Sequence, residues 1–403
     1  MSSKRKAVWL DALDRAASLW RDDDEKGALR TIDEALAANP TQPLLRMQKY
    51  FMEKAVECRS SSPSIKLPER KPGDPRVSVI MTTYNRNTWL REAIDSVISQ
   101  TFTDWELVLV NDGGDPSVED IVISCGDSRL KYIWSEHKGR SPALNTGLRN
   151  ARGEYFIFLD DDDIFFPEHL GKLVKTLDDN PDAPGCYSGV ILTFQKPDGD
   201  GYVTRKRRKG DIFDFDRSEL ITNNRIPPVS LLVRRDGFVV HGSFSEGLKC
   251  SIDRDMWVRL TSDGDFIRVD GESCEVRSRE DGSSISSDRS FNQTHFSNIV
   301  ITMHKGLLFE SKSLEVWCKN SAVRALKSLI NDWSGFAEAI DLRSFFKVKK
   351  PYTYLLDLAK RRGAYAGDGT VERAAIRAAV KSAPYQISLW PKLITGIKIE
   401  GQR

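Results

Sequence analysis

Tyr155-Phe156-Ile157-Phe158-Leu159-Asp160-Asp161-Asp162-Asp163-Ile164-Phe165-Phe166-Pro167 joins five consecutive large apolar residues to four consecutive carboxylates. An apolar run without alternation fits a strand covered on both faces. Four acids in a row are weak evidence by themselves: at the overall frequency of acidic residues, roughly 0.2 such runs are expected by chance in a chain of this length. Position is what makes the run informative. It leaves a buried strand and enters Ile164-Phe165-Phe166-Pro167, so it is not a solvated acidic tail. Carboxylates held this close repel one another, and a cation would neutralise them. Such hard oxygen donors suit Mg²⁺ or Mn²⁺, which keep open positions for phosphate oxygens.

The same pattern recurs upstream. Val77-Ser78-Val79-Ile80-Met81, Trp105 to Val110 and Leu130 to Trp134 are short apolar, partly β-branched runs, separated by helical stretches at Leu90 to Gln100 and Ala143 to Ala151. Strands alternating with helices predict an α/β domain, Rossmann-like, with a mostly parallel sheet. Ligands of such sheets bind beyond the carboxyl ends of the strands. Those ends carry Thr82-Thr83-Tyr84-Asn85-Arg86, Asn111-Asp112 and Asp160 to Asp163.

Helical segments flank this domain. Residues 1–60 hold apolar stripes at helical spacing (Trp9, Leu10, Leu13, Ala16, Ala17, Trp20; Ala28, Ile32, Ala35, Leu36), which read as one tetratricopeptide-like unit or an ordinary helical extension. Residues 61–75, rich in Ser, Pro and charge, read as a linker, 76–290 as the α/β domain and 291–403 as a helical C-terminal region. With 60 basic against 58 acidic residues the net charge is +2, which excludes a global basic field and makes nucleic acid a poor partner. The six cysteines show no CxxC pair and no zinc spacing, as expected of free thiols in a reducing cytosol. Neither a secretory signal nor a membrane-spanning stretch is evident, so a cytoplasmic protein is expected, with room for peripheral contact at the inner face of the cytoplasmic membrane. The basic run Arg205-Lys206-Arg207-Arg208-Lys209, after a turn cluster, reads as an exposed hairpin or as a contact for anionic lipid or an acidic acceptor.

Six ordered blocks carry a family pattern: Val79-Ile80-Met81-Thr82-Thr83-Tyr84-Asn85-Arg86, Val108-Leu109-Val110-Asn111-Asp112-Gly113, Ala143-Leu144-Asn145-Thr146-Gly147, Phe158-Leu159-Asp160-Asp161-Asp162-Asp163, Gly242-Ser243-Phe244 and Asp253-Arg254-Asp255-Met256-Trp257. Over Pro75 to about Ser287 the chain resembles the family-2 glycosyltransferases, which have the GT-A fold and generally invert the anomeric centre. The resemblance implies transfer of a sugar from a nucleoside diphosphate donor, a UDP-sugar above all, to a glycan, lipid-linked or other hydroxyl acceptor, in bacterial surface polysaccharide or glycoconjugate synthesis. Contacts of the helical flanks with a membrane surface or another protein complete the expected partners.

By the same resemblance Thr83, Tyr84 and Arg86 line the nucleotide pocket, and Asp112 accepts from the base imide, although an aspartate before Gly113 is also a common turn residue. Arg140 offers planar donors to the phosphates or stands on the surface. Asp162 is the metal ligand, for Mn²⁺ or Mg²⁺, together with Asp160; Asp160 or Asp161 reaches the ribose or a metal-bound water. The catalytic base is Asp253, with Asp255 next. The family's Glu-Asp pair is Ile252-Asp253 here, so the glutamate is missing. Many relatives have a histidine in a later metal-facing loop, whereas Glu275 to Ser284 contains none. Arg277 or Arg279 is expected on the diphosphate instead, and the five histidines are expected to be structural or superficial. Two other readings stay open. Nucleotidyl transfer also uses carboxylate-bound Mg²⁺, but it predicts a glycine-rich loop after the first strand that Thr82 to Thr88 lacks. An inactive scaffold would work through the helical flanks alone.

Overall fold

Apolar residues at helical spacing produce α1 (Val8–Arg21) and α2 (Glu25–Ala38), and Asp24 caps the second by accepting from the Gly27 amide at 2.8 Å. The structure, a computed structural model, describes residues 8–40, 43–199, 201–222, 225–279 and 299–304. Leu13, Ala16, Trp20, Ala28 and Ile32 are buried, and the Trp20 indole donates to the Thr302 carbonyl at 2.9 Å. A third helix, α3, spans Pro43–Ser60. The described residues form two compact units, 8–54 with 299–304, and 55–279. The division therefore falls inside α3 and not at residue 60. Beyond residue 304 the helical stretches expected for the C-terminal region lie outside the described residues, as does Cys318; the other five cysteines are in no disulfide among the described residues.

In the second unit each predicted apolar run is a strand: β1 (Val77–Thr83), β2 (Trp105–Asp112), β3 (Leu130–Ser135) and β4 (Tyr155–Asp160). Between them lie α4 (Asn87–Ile98), α5 (Ser117–Ser124) and α6 (Arg140–Asn150). All four strands run parallel in the order β3-β2-β1-β4, so their carboxyl ends share one edge. Gly147 lets α6 lie close on this sheet, because a Cβ there would sit 2.5 Å from Cγ2 of Ile80.

The rest of the sheet comes from β5 (Ile164–Phe165), β6 (Gly185–Asp198), β7 (Gly201–Lys209), β8 (Leu231–Arg234) and β9 (Ile267–Arg279), with α7 (His169–Asp178), α8 (Arg217–Thr222), α9 (Asp236–His241) and α10 (Ile252–Leu260) among them. The full order is β3-β2-β1-β4-β8-β6-β9-β5, with β7 added to β6, giving nine strands. β8 is antiparallel to both β4 and β6, while β9 lies parallel to β6. The mostly parallel, Rossmann-like α/β domain read from the sequence is thus the observed fold, extended by a mixed half.

Residues 61–75 contain no helix or strand. They are nevertheless strapped to the domain: Pro63 O accepts from Ser243 N at 3.1 Å and Ser243 Oγ at 2.9 Å, and Arg235 donates to the Pro68 carbonyl.

Candidate active site

Parallel register sets the site. Thr83 lies opposite Asn111, and Thr82 opposite Asp160, so β1, β2 and β4 deliver their polar ends to one place. After β4 the chain makes a tight turn, with Asp163 N donating to Asp160 O at 3.1 Å. That turn gathers carboxylates: one oxygen each from Asp160, Asp162 and Asp163 lies within 4.8 Å of the others. Asp161, Asp162 and Asp163 are buried and Asp160 is half-buried.

The electrostatics are those of an under-neutralised cluster. Burial, followed by the charge of Asp162, pushes Asp161 up to about 7 against the hydroxyl of Thr83. Burial also holds Asp163 well above the carboxylate range, with Asp162 and Asp160 adding to it. Asp160 is raised by burial, Arg140 opposing. Around the turn stand three guanidinium groups. Arg86 reaches Asp162 Oδ2 at 3.2 Å and Asp161 Oδ1 at 3.6 Å; Arg140 pairs with Asp160; Arg279 donates to Asp162 Oδ2 at 2.7 Å. The Arg277 amide adds a bond to Asp163 Oδ1 at 3.0 Å.

Thr83 is 2% exposed and donates its hydroxyl to Asp161 Oδ2 at 2.7 Å, so it braces the acidic turn rather than lining an open pocket. Tyr84 is exposed and stacks on His137, with centroids 4.1 Å apart and planes at 16°. Asp112 is buried at the end of β2, where its two oxygens accept from the amides of Lys138 and Gly139 at 3.0 Å each. The His137 ring also lies 2.9 Å from its Oδ2. Asp112 therefore shapes the 137–139 loop, with Oδ2 engaged by Gly139 and His137 and Oδ1 by the Lys138 amide alone, which leaves Oδ1 a second lone pair. Gly113 permits the crossing: its φ is +72°, and a Cβ there would meet the His137 amide nitrogen at 2.6 Å.

Arg140 opens α6 directly after this loop. Burial opposes its charge, but Asp160, Asp253, Asp161 and Asp162 raise its pKa. Its Nε is buried without a hydrogen-bond partner among the described residues. Asn145, on the same helix, donates to Phe244 O and accepts from Phe244 N, both at 3.0 Å, which ties two of the sequence blocks together.

The two aspartates of α10 differ. Asp253 is half-buried in the first turn, and its charge is felt at Arg140 and Asp160. Asp255 is fully buried and pairs with Arg259 at 2.7 Å, which in turn donates to His241 O at 2.6 Å and Ser243 O at 2.8 Å. That is the pattern of a helix anchor.

Of the residues expected on the diphosphate, Arg277 is instead paired with Glu275 at 3.0 Å and with Glu92, and Arg279 is completely buried against Asp162. Sequence reasoning passed over Asp163, which the intact four-residue run already contained, and His137, whose only signal was its place two residues before Gly139. The fully buried His169 is structural, with Nε2 donating to Val229 O at 3.0 Å and Nδ1 accepting from Ser273 Oγ at 2.6 Å. The basic run lies on β7, exposed, with Arg207 paired to Glu275 and Lys209 to Glu272. No described helix is long and apolar enough to cross a membrane.

The profile of the family described as Glycosyl transferase family 2 matches residues 78–238. An uncharacterized glycosyltransferase of Rickettsia typhi is 30% identical over 292 residues, covering 71% of this chain and 79% of its own length. Among solved structures, TarS 1–349 of S. aureus in complex with UDP-GlcNAc is 16% identical, with a TM-score of 0.45 over 79% of this chain and 92% of its own. The mannosyltransferase PcManGT of Pyrobaculum calidifontis, solved with GDP-Man and Mn²⁺, is 18% identical with a TM-score of 0.40, covering 91% of this chain and 96% of its own.

Proposed function

Because the chain belongs to glycosyl transferase family 2 and is therefore a glycosyltransferase, we propose that it is a metal-dependent, inverting enzyme that takes a sugar from a nucleoside diphosphate, UDP by preference, to a hydroxyl acceptor. One observation carries the reading. Three carboxylate oxygens converge within 4.8 Å at the shared carboxyl edge of parallel strands, in a cluster where burial holds Asp160, Asp161 and Asp163 above their usual range. Such a cluster fits a hard divalent cation, Mn²⁺ or Mg²⁺, held by Asp162 and Asp160 with Asp163 beside them. When bound, that cation supplies Lewis-acid stabilisation of the leaving diphosphate.

The residues of the chain do the rest. Tyr84 and His137 offer a ring face to the base, and the second lone pair of Asp112 Oδ1 accepts from its imide. Asp161 and Asp160 face the ribose, with Thr83 holding Asp161 in place. Arg86 and Arg140 stand at the diphosphate, the unpartnered Nε of Arg140 giving a donor for a phosphate oxygen. Asp253 takes the proton of the acceptor hydroxyl as its oxygen attacks the anomeric carbon. The bond from that carbon to the phosphate oxygen breaks, and the nucleoside diphosphate leaves with the electron pair. Asp255, committed to Arg259, holds α10 in place. Surface polysaccharide or glycoconjugate synthesis on the cytoplasmic side is the setting proposed, with residues 76–290 as the catalytic domain and the helical flanks as its contacts to membrane or protein.

The test is turnover of a panel of nucleotide sugars with Mn²⁺. Asp162→Ala is expected to lower turnover by about 10³-fold, and undiminished activity would remove the metal assignment. Asp253→Asn should abolish transfer while donor binding is retained; transfer that persists would move the base elsewhere.

A further inference from the structure

Arg279 ends β9 with its side chain wholly shielded from solvent, the guanidinium carbon 3.5 Å above the Trp89 ring and 5.5 Å from that of Tyr202. The two rings lie 5.1 Å apart, tilted by 57°, one from α4 and the other from β7. Out of this aromatic clamp Arg279 Nη1 donates to Asp162 Oδ2 at 2.7 Å. The same oxygen receives Arg86 at 3.2 Å, so both cations converge on one side of the carboxylate and leave Oδ1 uncommitted to them. A buried guanidinium cannot lose its proton and has a rigid, planar fork, so it fixes the carboxylate it touches. Its own direction is fixed in turn by stacking on Trp89.

We propose that Arg279 is a positioning residue: clamped by Trp89 and Tyr202, it holds Asp162 oriented so that its other oxygen is presented to the divalent cation. This rests on the metal reading above. It assigns Arg279 a role different from diphosphate binding, which its complete burial disfavours. Partners that orient a ligand in this way raise metal affinity 10–100-fold. Simple electrostatics predicts the opposite sign, since deleting a positive charge beside a cation site should tighten the cation. The two accounts therefore separate cleanly.

Mn²⁺ affinity, read by electron paramagnetic resonance of the free ion, is measured for the wild type, Asp162→Ala, Arg279→Met, Arg279→Lys and Trp89→Leu, with folding checked by circular dichroism. Arg279→Met is expected to weaken Mn²⁺ by about tenfold, with turnover recovered at saturating Mn²⁺. Arg279→Lys, which keeps the charge but loses the planar fork, should also weaken it. Trp89→Leu, which leaves the arginine in place without its platform, should lose about threefold. Should Arg279→Met not fold, Arg279→Lys and Trp89→Leu decide the question. Wild-type or tighter Mn²⁺ binding in the folded Arg279 variants overturns this inference alone. A wild type that binds Mn²⁺ no better than Asp162→Ala overturns the metal reading, and this inference with it.

Discussion

The two ends of the parallel strands treat buried acids in opposite ways. At the amino end Glu106 accepts from Ser78 Oγ and from the Arg152 amide, both at 2.6 Å, and pairs with Lys131, so one carboxylate has three donors. At the carboxyl end four aspartates share three arginines, a threonine and a backbone amide, and three of the four are pushed toward the neutral form. A satisfied acid stabilises the fold. An unsatisfied cluster costs stability and persists where a ligand completes it.

That contrast can be broken from either end. Glu106→Leu removes the acceptor of the buried Ser78 hydroxyl and of the Arg152 amide, while the exposed Lys131 turns to water. Leaving two such donors unsatisfied should cost about 3 kcal/mol, seen as a lower urea midpoint, with Mn²⁺ affinity unchanged. A matching loss of Mn²⁺ binding would show that the two ends are not independent.

His169 sharpens the same point with pH. Burial lowers its pKa to about 3, whereas the unfolded chain takes up the proton near 6.5. Between those values the unfolded state binds the extra proton, so stability is full above pH 6.5 and declines as pH falls toward 3. The decline is about 1.4 kcal/mol per unit, or roughly 2 kcal/mol between pH 6.5 and 5. Urea unfolding at the two pH values should show that slope, and His169→Gln should flatten it.

The smallest effect has the reverse sign. In chelator, Asp161→Asn relieves repulsion from Asp162 while keeping an acceptor for Thr83, and should stabilise the protein by about 1 kcal/mol. Calorimetry would report it as a higher Tm, with weaker donor binding as the counterpart. A lower Tm would mean that the acidic turn is no reservoir of strain.

How much could be read beforehand follows from locality. The four parallel strands were legible because each is a continuous apolar run, and the acidic turn because it adjoins one of them. β6, β8 and β9 were not, since β6 finds both β8 and β9 far along the chain, whereas the exposed hairpin read at 205–209 is β7, which pairs with β6 across an adjacent turn. The ring stack was invisible for the same reason: Tyr84 and His137 belong to different strand ends, and nothing between them in sequence implies their 4.1 Å approach. The 61–75 segment has the composition of a linker, but its carbonyls are hydrogen-bonded to residues near 235 and 243, which composition cannot show.

The place of β9 has a consequence for the order in which the protein comes into being. This strand enters between β6 and β5 and ends on the arginine that secures Asp162, 117 residues earlier in the chain. A growing polypeptide therefore completes β1 to β4, and the acidic turn with them, well before the last anchor of that turn has been made. Until Arg279 arrives, β5 has no neighbour and β6 has a bare edge, so the nascent domain passes through a stage with an open sheet and loose carboxylates. Closure of that long loop is entropically demanding, and the acidic turn lacks one of its anchors until it is made.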